Sequence, residues 1–187
     1  MLRNALIATL MLATPALAEG DGPGPNLVIT LSGAAKGEVI IDLTPDVAPQ
    51  HVAQIVALAK AGAYDNVVFH RVIDGFMAQT GDVQYGKLGG DTSMAGMGGS
   101  DMADIPAEFS DVPFERGIVG MARSQDPDSA NSQFFIMFAP GEFLNGQYTV
   151  VGKVIAGMEI VDQIKRGAGQ NGEVTEPDVM ATVVVVE

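Results

Sequence analysis

With 187 residues, 47% of them hydrophobic, and 23 glycines, the chain is long enough for one domain with a sizeable core and many tight turns, which excludes a disordered protein. A formal net charge of −13 argues against nucleic acid or an anionic membrane surface as partner. The absence of cysteine removes disulfides, thiolate catalysis and Cys-ligated zinc together.

In chain order, Met1-Leu2-Arg3-Asn4 places one positive charge ahead of an apolar run over 5–13. Small residues follow, with Ala16 and Ala18 as an A-x-A site. This is the pattern of a secretory signal peptide over 1–18, cleaved before Glu19, with the periplasm as its destination. The run is short for a membrane anchor, so no membrane association is expected after cleavage. Residues 19–25 form a Gly/Pro-rich tether, expected to be flexible, and 26–187 form the single domain.

Strands are predicted over 26–32 and 38–43, joined through the glycines at 33 and 37. A helix over 45–61 opens on Thr44-Pro45-Asp46, with Ala48, Val52, Ile55, Val56 and Ala59 as its apolar stripe. His51 lies beside that stripe and is expected on the helix surface. A strand over 67–73 sends Val68, His70 and Val72 to one face and Phe69, Arg71 and Ile73 to the other. Asp74-Gly75 turns the chain back into Phe76, Met77 and Gln79. A lone strand arginine is ordinarily a surface residue with a buried stem. Here it sits beside apolar walls and a neutral amide, a combination suited to an uncharged substrate.

Residues 85–104 form a long Gly/Met/Ser-rich loop without the spacing of a phosphate-binding loop. Strand segments follow over 105–109, 117–123, 133–138 and 149–155, with a polar surface loop over 124–130. Asp126 and Asp128 in that loop lack the alternating ligand run of a calcium loop. A short helix over 157–166 turns Met158, Val161 and Ile164 inward, and a strand over 179–186 closes the chain. Many short strands and two helices give a mainly β domain with helical caps. The pattern alone does not separate a barrel from a sandwich.

Phe69-His70-Arg71, the run 117–123 (GIVGMAR), Asn131-Ser132-Gln133-Phe134-Phe135-Ile136 and the run 143–154 (FLNGQYTVVGKV) together resemble the cyclophilin family of peptidyl-prolyl cis-trans isomerases. The resemblance covers about 26–187. It implies an eight-stranded antiparallel barrel with the two helices at its ends, acting as a monomer without cofactor or metal on proline-containing segments of folding proteins. Carried over by motif, Arg71 is the catalytic arginine. Phe76, Met77, Phe135 and Leu144 form the proline pocket, Gln79 fixes the arginine and substrate carbonyl, and Ala122 and Gln133 line the groove.

Three positions depart from the best-known eukaryotic pattern. Phe143 stands where tryptophan is common, which implies weak inhibition by cyclosporin. Tyr148 replaces a histidine, and Arg123 replaces an asparagine that contacts substrate through its backbone. None of these removes the proposed donor.

A hydrolase would need a nucleophile and base, and His51 and His70, the two imidazoles, sit in no triad context. The main rival is a barrel that holds proline segments as a chaperone without turnover. A barrel carrying a small apolar ligand leaves the Arg71, Gln79 and Phe135 set unexplained.

Overall fold

The computed structural model describes residues 21–187; the leader read over 1–18 and the first residues of the tether lie outside them. Strands β1 (Asn26–Ser32) and β2 (Gly37–Leu43) form a hairpin, and helix α1 spans Pro49–Lys60. Then come β3 (Val67–Val68), β4 (Arg71–Ile73), β5 (Met77–Thr80), β6 (Ile118–Met121), β7 (Phe134–Met137) and β8 (Val150–Ala156). Helix α2 (Met158–Val161) and β9 (Val179–Val186) complete the chain. Residues 21–25 join the sheet's hydrogen bonding: the Gly22 N–H donates to Asp42 Oδ2 and the Leu43 N–H to the Pro25 carbonyl.

All strands belong to one antiparallel sheet in the order β3-β9-β1-β2-β8-β6-β7-β5-β4. Its first and last members, β3 and β4, are consecutive in the chain, separated by Phe69 and His70 alone. The two ends of the sheet are thus brought together and the sheet curls into a barrel, which gives every interior strand a neighbour on both sides. The count is nine segments rather than the expected eight, because the stretch over 67–73 divides. Val67 and Val68 pair with β9, while Arg71 to Ile73 pair with β5.

Alternating residues fill the barrel: Leu27, Ile29 and Leu31 from β1, Val39, Ile41 and Leu43 from β2, Phe134 and Ile136 from β7. The division at Phe69-His70 also changes the expected faces. Phe69 joins Val72 in this core, while Arg71 and Ile73 face outward. A second apolar cluster, with Met77, Phe114, Phe135, Met137, Leu144 and Val150, lies on the outer face of the sheet.

The first helix starts later than its sequence signal. Thr44 to Ala48 form a turn on the Thr44 carbonyl, and Pro49 takes the first helical position, where its missing N–H costs nothing. The cap comes from elsewhere in the chain: Glu108 accepts the N–H groups of Gln50 and His51. His51, expected at the surface, is fully buried, its Nδ1 lying 2.6 Å from Glu108 Oε2. Burial raises the Glu108 carboxyl, but the His51 ring and these N–H groups outweigh it and hold it below its ordinary value.

The second helix is a single turn, Met158–Val161, not the expected 157–166. Gly157 at its start has φ of 83°, and a Cβ there would lie 2.2 Å from the Glu38 carbonyl oxygen. Of the strand expected over 105–109, only Ile105 pairs, with Ala130.

Candidate active site

Register alone places the centre of the site. Arg71 pairs with Gln79, Gln79 with Phe135, and Phe135 with Gly120. These four residues form a row across β4, β5, β7 and β6, and the side chains of Arg71, Gln79 and Phe135 share the sheet's outer face. At the end of the row, glycine is required by its neighbours. A Cβ at Gly120 would lie 2.6 Å from Phe114 and 2.7 Å from Phe135.

Beside the row opens a cavity of about 110 Å³. Nine of the eleven sequence-predicted residues line it: Arg71, Phe76, Met77, Gln79, Ala122, Arg123, Phe135, Leu144 and Tyr148. Gln133 and Phe143 stand at its edges. Gln133 is buried in the adjoining cleft, where Met97, Ser124 and Asn131 also lie. Phe143 is 65% exposed, its ring 5.4 Å from that of Phe76. Phe135 forms the floor, stacked on Phe114 at 5.8 Å and meeting the edge of Tyr148 at 6.0 Å. Leu144 is delivered by a 3₁₀ turn over Glu142–Leu144.

Arg71 is held at the mouth of this apolar cavity by two acceptors. Its Nε donates to the Asn171 carbonyl and its Nη1 to Gln79 Oε1, both at 3.0 Å. Among the described residues Nη2 makes no hydrogen bond, so the fork keeps donors for a ligand. Partial burial lowers the guanidinium pKa, but arginine stays charged at neutral pH. Gln79 is fixed in turn, its Nε2 donating to Gln133 Oε1 at 2.9 Å.

Arg123 is engaged differently. Its guanidinium donates to the carbonyls of Ser124 and Gln147 and lies 4.3 Å above the Tyr148 ring. Arg123 and Tyr148 thus form one cation–π unit at the rim. Phe114, Gly120 and the Asn171 carbonyl also build the site and were not anticipated. A glycine inside a strand was the one signal available, since a backbone carbonyl carries no residue identity.

His70 lies behind this face, 9% exposed, with neither ring nitrogen hydrogen-bonded among the described residues. Burial pushes its pKa down to about 4, against the opposing charge of Asp82. The unfolded chain takes up this proton near pH 6.5, so between pH 6.5 and 4 it binds more protons than the folded protein. This contribution to stability is complete above pH 6.5 and lost as pH falls toward 4, at full size roughly 3 kcal/mol. Urea titrations of the unmodified protein and His70→Gln are expected to diverge in pH slope over this window. Parallel slopes would refute it.

Residues 27–185 match the family model described as cyclophilin type peptidyl-prolyl cis-trans isomerase/CLD. The chain is 54% identical over 182 residues to a probable peptidyl-prolyl cis-trans isomerase of Brucella suis biovar 1, covering 95% of this chain and 92% of that one. It is 34% identical to peptidyl-prolyl cis-trans isomerase B of Escherichia coli K12, covering 80% of this chain and 94% of that one. The fold is similar to a Cryptosporidium parvum cyclophilin solved in the presence of the dipeptide Ala-Pro. That match has a TM-score of 0.74 and 26% identity, covering 87% of this chain and 99% of that one.

Proposed function

The chain belongs to the cyclophilin-type peptidyl-prolyl cis-trans isomerase family, and from that premise we propose that Arg71 drives isomerisation by donating a hydrogen bond to the prolyl nitrogen as the amide twists. Rotation about a peptide bond meets a barrier of about 18–20 kcal/mol because the nitrogen lone pair is delocalised into the carbonyl. In the twisted state that lone pair returns to the nitrogen, which becomes basic and able to accept a proton donor. A donor fixed there stabilises the transition state and neither planar ground state. No nucleophile or cofactor enters the reaction.

The observation that carries this reading is the guanidinium at the mouth of an apolar cavity, pinned by Gln79 and Asn171 with Nη2 unengaged. Phe76, Met77, Phe135 and Leu144 would receive the proline ring, and Gln79 would hold the arginine. Ala122, Gln133, Arg123, Tyr148 and Phe143 would border the flanking peptide. Proline-containing segments as substrate are supported by the dipeptide present with the Cryptosporidium relative. The test is isomerisation of a cis-enriched Xaa-Ala-Pro-Phe peptide, followed without a coupling protease. Strong acceleration is expected. Peptide binding without acceleration would favour the proline-binding chaperone instead.

Delivery to the periplasm belongs to the same proposal, supported by the Ala16-Leu17-Ala18 site after a short apolar run. Protein recovered from the periplasm should begin at Glu19. An intact Met1 would overturn the assignment.

A further inference from the structure

The Asp82 carboxylate is fully buried, and the reaction above does not use it. Its Oδ1 accepts the N–H groups of Gln84 and Tyr85 at 3.1 and 2.9 Å. Its Oδ2 accepts those of Gly96 and Gly98 at 2.7 and 2.9 Å. The second pair lies in the Gly-rich loop, whose residues 89–94 are largely exposed. Gly96 has φ of 99°, and a Cβ there would lie 3.0 Å from the His70 ring, so this part of the loop is held close against the barrel.

Held by these N–H groups, the same two residues turn their carbonyls toward the site. Gln133 Nε2 donates to Gly96 O at 3.0 Å and to Gly98 O at 2.8 Å. A carbonyl oxygen can only accept, so Gln133 has to present its NH₂ group to the loop and its Oε1 inward. Gln79 then has to donate its Nε2 to that oxygen, which leaves Gln79 Oε1 to accept from Arg71 Nη1. Either amide reversed would set NH₂ against guanidinium or oxygen against carbonyl. The direction of the whole series originates in the loop.

We propose that Asp82 is a positioning residue for Arg71: by aiming the Gly96 and Gly98 carbonyls it sets the polarity of the Gln133–Gln79 relay that holds the guanidinium in place. The inference rests on Arg71 being the donor.

Asp82→Asn keeps the size of the side chain but turns one acceptor oxygen into an NH₂ group facing two N–H donors. Loss of alignment at Arg71 is expected to lower kcat/KM for the proline peptide by about 10-fold. In a Gln133→Ala background the relay is already cut, and the same change should cost less than about twofold more. Its effect on melting temperature should be equal in both backgrounds. A purely structural Asp82 gives the same fold loss of activity in both, and that result would overturn the proposal.

Should Asp82→Asn not fold, Gln133→Glu against Gln133→Met tests the same polarity. The carboxylate, repelled by two aimed carbonyls, is expected to be the less active of the two, and equal activities would refute the relay. Full activity in Arg71→Ala would remove the reading of Arg71 itself. An inactive Arg71→Ala with equal Asp82→Asn losses in both backgrounds removes only the relay.

Discussion

Arg71→Ala is expected to lower kcat/KM for a Xaa-Ala-Pro-Phe peptide by about 100- to 1,000-fold, the usual cost of removing one donor aimed at charge that develops in the transition state. The loss should fall on kcat. In a planar amide the prolyl nitrogen offers no lone pair, so the donor has little to bind in either ground state, and KM should move little. The fold should survive, because Arg71 is half-buried on the outer face and gives up its bonds to Gln79 and the Asn171 carbonyl and a 3.9 Å contact with the Met77 sulfur. Arg71→Lys is expected to recover little. An ammonium carries charge but not the planar fork that meets Gln79, Asn171 and a ligand together. Activity within about threefold of the unmodified protein would sink the donor mechanism, since an electrostatic donor in a part-buried site cannot be that dispensable.

The hairpin that presents Arg71 was legible in the sequence. Asp74-Gly75 marks a turn, Gly75 takes φ of 69°, and the pairing Ile73↔Met77 sets Arg71 opposite Gln79. The strand β9 follows the β-branched run over 179–186 directly. What failed was alternation carried across a break. Alternation puts Phe69 on Arg71's face, but Phe69 lies outside the β4–β5 pairing, its N–H donates to the Asp178 carbonyl, and the ring turns into the core. His51 failed for a different reason. Its partner Glu108 lies 57 residues away, and no local periodicity reports on a pair that distant. Nine of the predicted site residues meet in one cavity, and each enters it through a side chain that the sequence names. Gly96, Gly98 and Asn171 contribute only carbonyls, which any residue could supply, so their part emerged only from the folded geometry.

The pocket wall is the place where stability and activity should separate. Phe135→Ala removes a ring that is 5% exposed and packed between Phe114 and Tyr148. Burial of that size ordinarily costs about 3–5 kcal/mol, and the new space here joins a cavity already open to water, which favours the lower end. For a domain of this length that corresponds to a fall in melting temperature of roughly 6–12 °C. Phe114→Ala should cost a similar amount, since Phe114 is 2% exposed and loses the same stacking contact. Phe114, however, does not line the cavity, whereas Phe135 forms its floor. Assayed well below both transitions, Phe135→Ala is expected to lower kcat/KM by about 10- to 100-fold, the equivalent of losing contact with two or three methylene groups of a proline ring. Phe114→Ala should lose several-fold less, through slackened support of the Phe135 ring alone. Equal losses would mean that Phe135 contributes packing and not recognition. Unequal losses at matched stability would identify the ring as a surface that substrate touches, since destabilisation common to both variants cannot produce a difference between them.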